Sequence, residues 1–128
     1  ITMTETNKTA AATAPTPPVL PACPVETTLT LISDKWKVLI LRDLMSGTKR
    51  FGELKKSIGH VTQKVLTAQL RQMEESGLLT RTVYAEVPPR VEYTLTELGY
   101  SLKPILDAML VWGENYKKKV EKEWGQDA

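Results

Sequence analysis

The segment TQKVLTAQLRQMEESG, residues 62–77, combines an apolar stripe with a polar stripe at helical spacing. Leu66, Leu70 and Met73 recur on one side, which predicts a helix with that side buried. A projection at about 100° per residue puts the polar side chains on the opposite side. Amide and guanidinium groups can hydrogen-bond to the edges of bases, and cations neutralise phosphates. The candidate nucleic-acid contacts on this helix are Thr62, Gln63, Lys64, Thr67 and Arg71.

The stretch YAEVPPRVEY, residues 84–93, contains a second set of candidate contacts. Its flanks alternate between apolar and polar residues, which predicts two strands joined by a loop. Pro88 and Pro89 favour an extended, polyproline-like loop, which is stiff. Arg90 would then place a cation at the loop tip, suited to the negative potential of a DNA minor groove. The plainer interpretation is a turn with an exposed arginine.

Cys23 is the single cysteine of the chain, and it precedes Pro24, a residue that favours the first position of a helix. A thiol at the N-terminus of a helix is more reactive than a free thiol, because the helix dipole stabilises the thiolate. An oxidant sensor built on it would need a Cys23–Cys23 bond between two copies, a mixed disulfide with a small thiol, or direct alkylation. The alternative is a small, inert side chain at a helix start. His60 has no Cys or His partner at metal-ligand spacing, so neither a metal nor a cofactor is expected.

The composition favours one intracellular domain with a polyanionic partner. The chain has 128 residues, and its 17 basic and 15 acidic residues give a net charge of +2. Between residues 35 and 71 only Asp43 and Glu53 are acidic, so this half is basic. Its basic residues are Lys35, Lys37, Arg42, Lys49, Arg50, Lys55, Lys56, Lys64 and Arg71. No secretory signal or bilayer-length apolar run is evident, so we expect a cytoplasmic protein without a membrane anchor.

The predicted elements are helix, helix, short helix, longer helix, strand, strand and helix. Residues 1–22, rich in Thr, Ala and Pro, are predicted to form a flexible arm whose first residues are partly vector-derived, and residues 23–128 form the domain. The third helix is expected to begin with Lys49 and Arg50, near where a backbone phosphate would lie. The last helix is expected to run from about Glu97 into the 120s, with a kink at Pro104.

A short helix, a tight turn and a longer helix with polar residues outside form a helix-turn-helix. A hairpin directly after such a pair corresponds to the wing of a winged helix. The fold class is therefore mainly α with a small β-hairpin, and the second helix of the pair would enter a DNA major groove. Two other functions stay open. A winged helix can serve protein contact alone, and a thiol enzyme could be built on Cys23, although the only histidine lies on the helix-turn-helix and a nucleophile needs a base beside it.

The chain from Cys23 to Gly113 resembles the HxlR-type branch of the MarR-like winged-helix transcription regulators of bacteria and archaea. The landmarks, in this order, are CPVE at 23–26, KWK at 35–37, RF at 50–51, QKVL at 63–66, EVPPRVEY at 86–93, LTELG at 95–99 and WG at 112–113. The resemblance implies a non-enzymatic cytoplasmic homodimer, joined through its first and last helices, that binds palindromic operators as a repressor or an activator. Similar regulators sense oxidants, quinones or aldehydes through a cysteine at this position, so the resemblance also implies an oxidant or small-molecule effector acting at Cys23.

Overall fold

The computed structural model of the protein describes residues 19–124. The helices in this range are α1 (Pro24–Ile32), α2 (Lys35–Leu44), α3 (Phe51–Ile58), α4 (Gln63–Glu75), α5 (Glu97–Tyr100) and α6 (Lys103–Glu123). The strands are β1 (Lys49–Arg50), β2 (Leu79–Tyr84) and β3 (Arg90–Leu95). Most of the predicted arm, and residues 125–128 of the predicted domain, lie outside the described residues.

Helix α1 begins where the sequence predicts, and α2 begins after a side-chain cap. Pro24 occupies the first turn of α1, where its missing N–H breaks no helical bond. The carboxylate of Asp34 caps α2, because it accepts a hydrogen bond from the backbone N–H of Lys37 at 3.0 Å. The buried residues of α2 are Ile40, Leu41 and Leu44.

Helices α3 and α4 form the helix-turn-helix that the sequence predicts. α3 ends at Gly59, whose φ of 88° is a left-handed conformation that favours glycine. The hydroxyl of Thr62 accepts a hydrogen bond from the backbone N–H of Val65 at 3.1 Å and so caps α4. The core residues that this motif contributes are Leu54, Ile58, Val61, Leu66, Leu70 and Met73.

The hairpin of β2 and β3 follows α4 directly, as predicted. The two strands pair antiparallel, with Leu79 opposite Leu95 at one end and Tyr84 opposite Arg90 at the other. Leu95 and Tyr93 of β3 are buried and contribute to the core. The face that carries them therefore fixes the hairpin against the helices.

A third strand extends the predicted two-stranded hairpin to a sheet in the order β1–β3–β2. The expectation that Lys49 and Arg50 begin the third helix is wrong, because they form β1 and pair with Tyr93 and Glu92 of β3. α3 begins one residue later, at Phe51. A strand of two residues is too short to leave a period in the sequence, and its partner lies far along the chain.

A tight turn joins α4 to β2. The φ of Gly77 is 81°, and the N–H groups of Gly77 and Leu78 donate to the carbonyls of Glu74 and Met73 at 3.0 and 2.9 Å. This is a left-handed glycine cap at the end of α4. Thr96, just after β3, bonds back to the turn. Its hydroxyl donates to the carbonyl of Gly77 at 2.6 Å, and its N–H donates to the carbonyl of Leu78 at 3.0 Å.

The expectation of one long, kinked last helix is wrong. The chain forms the short helix α5 and begins α6 separately at Lys103. Pro104 therefore lies in the first turn of α6, where proline is compatible with a straight helix. Ile105 and Leu106 pack against the core. The same face of α6 continues past the core with the exposed side chains of Met109, Trp112 and Tyr116.

A substitution at Gly99 tests how closely the sheet packs against α5. A Cβ at this position would collide with the carbonyl oxygen of Leu78 and would lie 3.0 Å from Leu95 Cδ2. We expect Gly99→Ala to lower the free energy of unfolding by about 1–3 kcal/mol, the usual cost of overpacking. Urea unfolding followed by circular dichroism measures this change. Gly52→Ala is the matched control, because its Cβ would meet nothing within 4 Å. Equal stability of the two variants would contradict a tight junction.

Candidate nucleic-acid interface

Helix α4 presents its polar stripe to solvent. The side chains of Gln63, Lys64, Thr67 and Arg71 are all exposed, so none of them is packed into the body of the protein. Thr62 is also exposed, but its hydroxyl oxygen is engaged in capping the helix. The predicted contacts on α4 are thus on one open surface, with Thr62 occupied by a structural bond.

A groove of about 390 Å³ lies between α4 and the sheet, and we call it the helix–wing groove. Its α4 wall carries residues about one turn apart, which share one stripe of the helix. These residues are Gln63, Thr67, Arg71 and Glu74. The opposite wall carries Arg81 of β2, and the groove is also lined by Phe51, Val91 and Tyr93. The predicted helix and hairpin therefore face the same side of the molecule.

A second groove of about 380 Å³ adjoins the first, because Phe51 and Val91 line both. It brings Arg50 together with the loop between β2 and β3. Its residues from this loop and from the start of β3 are Glu86, Pro88, Pro89 and Arg90. Lys49, the other predicted backbone contact, lines a separate cavity beside Asp43 and Glu53. Neighbouring strand residues point to opposite faces, so β1 separates the two predicted cations.

Arg90 is bound to its own hairpin. Its guanidinium forms ion pairs with Glu86 at 3.0 Å and with Glu92 at 3.4 Å, and it stacks over the ring of Tyr84 at 4.0 Å from the centroid. Its side chain is 28% exposed. The loop itself bends at Val87 and Pro88 and is not the straight polyproline-like segment that two prolines suggested. Arg90 thus begins β3 and does not extend freely from a loop tip.

Arg81 is a candidate that sequence reasoning missed. It lies opposite Tyr93 in the register, on the sheet face that turns toward α4, and it is exposed. No ion pair joins it to another residue within 19–124. The alternation of β2 could have indicated it, because Leu79 and Arg81 are two residues apart and share a face. Only the packed structure puts that face next to α4.

Cys23 is exposed at the N-cap position of α1. Its side chain makes no capping hydrogen bond, and the acidic residue Glu26 lies in the first turn. His60 lies in the turn of the helix-turn-helix, with its ring 5.2 Å from the ring of Trp36.

Two further properties follow from the part of the chain that the structure describes. Between residues 19 and 124, no three His, Cys, Asp or Glu side chains come together in a way that would hold a metal ion. Over the same range, every helix is too short or too polar to cross a bilayer.

The fold and the site define a winged-helix protein whose helix-turn-helix and wing share one open face. The chain belongs to the HxlR-like helix-turn-helix family, which it matches over residues 31–121. The resemblance that the sequence landmarks indicate is thereby confirmed, as is the fold class.

Relatives place the chain among transcription regulators. It is 50% identical over 100 residues to YdeP, an HTH-type transcriptional regulator of Bacillus subtilis, and the match covers 78% of each protein. The structure is similar to that of the redox regulator HypR in its reduced form, with a TM-score of 0.72, 44% identity, and coverage of 78% of this chain and 99% of HypR. It is also similar to quinone-bound YodB from B. subtilis, with a TM-score of 0.62, 34% identity, and coverage of 73% of this chain and 98% of YodB.

Proposed function

We propose that the protein is a cytoplasmic, non-enzymatic transcription regulator that binds palindromic operators as a homodimer. The observation that carries the proposal is the shared orientation of α4 and the hairpin around the helix–wing groove. A helix that enters a major groove and a wing that follows the adjacent minor groove must face the same side of the duplex. The exposed polar stripe of α4 and membership of the HxlR-like family support the same conclusion.

In this proposal the first two turns of α4 read bases. Residues at the N-terminal end of a recognition helix contact base edges, which selects Gln63, Lys64 and Thr67. Thr62 lies just before these residues and is proposed to contribute to DNA binding from the N-cap position of α4. The cations Lys49 and Arg50 are proposed to contact the DNA backbone, with Arg50 closer to the wing.

The wing loop is proposed to lie along the minor groove with Pro88, Pro89 and Arg90. Arg90 would have to exchange Glu86 and Glu92 for acceptors on the DNA. Ion pairs of partly exposed side chains contribute about 0–1 kcal/mol each, so this exchange has a low cost.

The homodimer is proposed to form through α1 and α6. Met109, Trp112 and Tyr116 are 47%, 68% and 54% exposed in the single chain, although they continue the face that packs Ile105 and Leu106 on the core. A contiguous apolar face of this kind marks a protein interface. Val25 and Leu29 of α1 are also exposed and would add to it. In such a dimer the two α4 helices would lie about 34 Å apart, one turn of DNA.

Selection of bound fragments from random DNA tests the DNA-binding proposal. We expect a two-fold symmetric site and an affinity that falls steeply with salt, with a log–log slope of about −0.9 per phosphate contact. Gln63→Ala should relax preference at one base pair of each half-site by about 1–3 kcal/mol, because it removes a bidentate amide. Gln72→Ala is the matched control, since it makes the same change on the far side of α4.

The competing function is a winged helix that binds only protein. It predicts no enriched DNA sequence and a flat salt dependence, so either result would reject the DNA-binding proposal. Unchanged base preference in Gln63→Ala would reject only the role of Gln63.

Trp112→Glu tests the dimer. A carboxylate at the centre of the exposed apolar face of α6 would be desolvated without a partner, so we expect a monomer at micromolar concentration in sedimentation equilibrium. Lys118→Gln changes the net charge by the same amount on the opposite face of α6 and should remain dimeric. A dimer that survives Trp112→Glu would exclude this face from the interface.

We also propose that Cys23 is a thiol sensor. Its exposure at a helix N-terminus supports this role, as does similarity to the redox regulator HypR and to quinone-bound YodB. Three reactions remain candidates: a Cys23–Cys23 bond between two copies, a mixed disulfide with a small thiol, and alkylation by an electrophile.

Oxidation with diamide tests the reaction that joins two Cys23 thiols in a disulfide. In the dimer, two Cys23 thiols would give two electrons and two protons to one diamide and form one disulfide, seen as a covalent dimer by mass spectrometry. We expect DNA affinity to change by about 5- to 150-fold, the usual range of coupling between two sites. Cys23→Ser is the control and should not respond. Equal affinity of the wild type before and after complete oxidation would reject a sensor that acts through a disulfide between two copies.

A further inference from the structure

The surface between α4 and the wing has a defined position in the proposed complex. The major groove that would receive α4 and the minor groove that would receive the wing are separated by a sugar–phosphate backbone. One strand of that backbone must therefore cross the surface between α4 and the wing. This surface is the helix–wing groove, so its side chains would meet phosphates more directly than bases.

The two walls of the helix–wing groove each supply one arginine. Arg71 stands on α4 and Arg81 on β2, and both are exposed. Neither forms an ion pair with any residue in the described part of the chain. One carboxylate, Glu74, lines the same groove, which leaves an excess of one positive charge. Two guanidinium groups facing one channel can each hold a phosphate by paired hydrogen bonds.

The position of Arg71 along α4 favours phosphate over base contact. It lies eight residues after Gln63, which corresponds to about 12 Å along a helix. Base contacts of a recognition helix come mainly from its N-terminal residues. Arg71 is therefore placed where the helix leaves the base edges and approaches the backbone.

A comparison of Arg81 with Arg90 indicates which arginine of the wing is available to bind a phosphate. Glu86 and Glu92 partly neutralise Arg90, and Tyr84 covers one side of its guanidinium. Arg81 has no such partners within residues 19–124 and faces the groove. In the unbound protein, the wing thus presents Arg81 to a phosphate without first breaking an ion pair.

We propose that Arg71 and Arg81 form a clamp for the phosphate backbone that passes between α4 and the wing. This inference rests on the proposed function and adds Arg81 as a DNA-contacting residue. The clamp would hold the register of α4 in the major groove without reading sequence. Glu74 would weaken the clamp, because its carboxylate faces the same phosphates.

The test compares three variants on two duplexes, the selected operator and a scrambled duplex of the same composition. Arg81→Gln should weaken binding to both by a similar factor, roughly tenfold. It should also reduce the magnitude of the salt slope by about 1.8, since the dimer has two copies and each phosphate contact contributes about 0.9. Arg81→Lys keeps the charge and should keep the slope. The double variant Arg81→Gln/Thr80→Arg restores the net charge on the other face of β2 and should not restore binding.

Glu74→Gln provides a change in the opposite direction. It removes the carboxylate from the groove and should strengthen binding to both duplexes severalfold. Thermal unfolding of every variant should match the wild type, because all of the substituted side chains are exposed.

The outcomes separate this inference from the proposed function. If the wild type binds the operator with a steep salt slope but Arg81→Gln has the same affinity and slope, the clamp is wrong and DNA binding stands. If the double variant binds as well as the wild type, only net charge matters and the clamp is wrong. If the wild type itself binds neither duplex, the proposed function has failed.

Discussion

The relative position of α4 and the sheet depends on one junction of the backbone. The carbonyls of Gly77 and Leu78, where α4 turns into β2, accept hydrogen bonds from the hydroxyl and the N–H of Thr96, where β3 turns into α5. Gly99 lies against the same Leu78 carbonyl, and its missing side chain permits the close approach. The end of a helix, the start of one strand and the end of another are thereby held at one point. The angle of the wing to α4 follows from this point.

The central strand β3 connects this junction to the rest of the site. It pairs with β2 on one edge and with β1 on the other, and it inserts Tyr93 and Leu95 into the core. β1 leads directly into α3, so the sheet that contains the wing is connected to the first helix of the helix-turn-helix. The width of the helix–wing groove is therefore a property of the core and does not depend on a mobile loop. A regulator needs such rigidity, because small displacements of contacting side chains cost binding energy.

Electrostatic partners divide the arginines of the site into two groups. Arg90 is held by two carboxylates and an aromatic ring, which order the base of the loop. Arg71 and Arg81 face a groove to which the described residues contribute one carboxylate, that of Glu74. A chain with a net charge of only +2 can thus present a locally positive surface. Long-range attraction and phosphate contact depend on this local arrangement of charge more than on the total charge.

The sequence by itself determined the elements whose signals are local. The helical spacing of Leu66, Leu70 and Met73 predicted α4 and the solvent exposure of its polar stripe. The helix lies between Thr62 and Gly77, the ends of the segment. Alternation defined β2 and β3. The landmarks that pointed to the HxlR-type regulators are likewise short stretches of sequence, and the family match over residues 31–121 confirmed the resemblance.

Tertiary structure decided everything that depends on partners distant in the chain. β1 exists because β3 supplies its hydrogen bonds, and Pro104 is harmless because the helix breaks before it. The approach of Arg81 to Arg71 required the fold of the hairpin and its packing against α4. Local periodicity specifies which face of an element is buried, but it carries no information about which face of another element lies opposite. The composition of a groove between two elements is therefore set only when the chain packs.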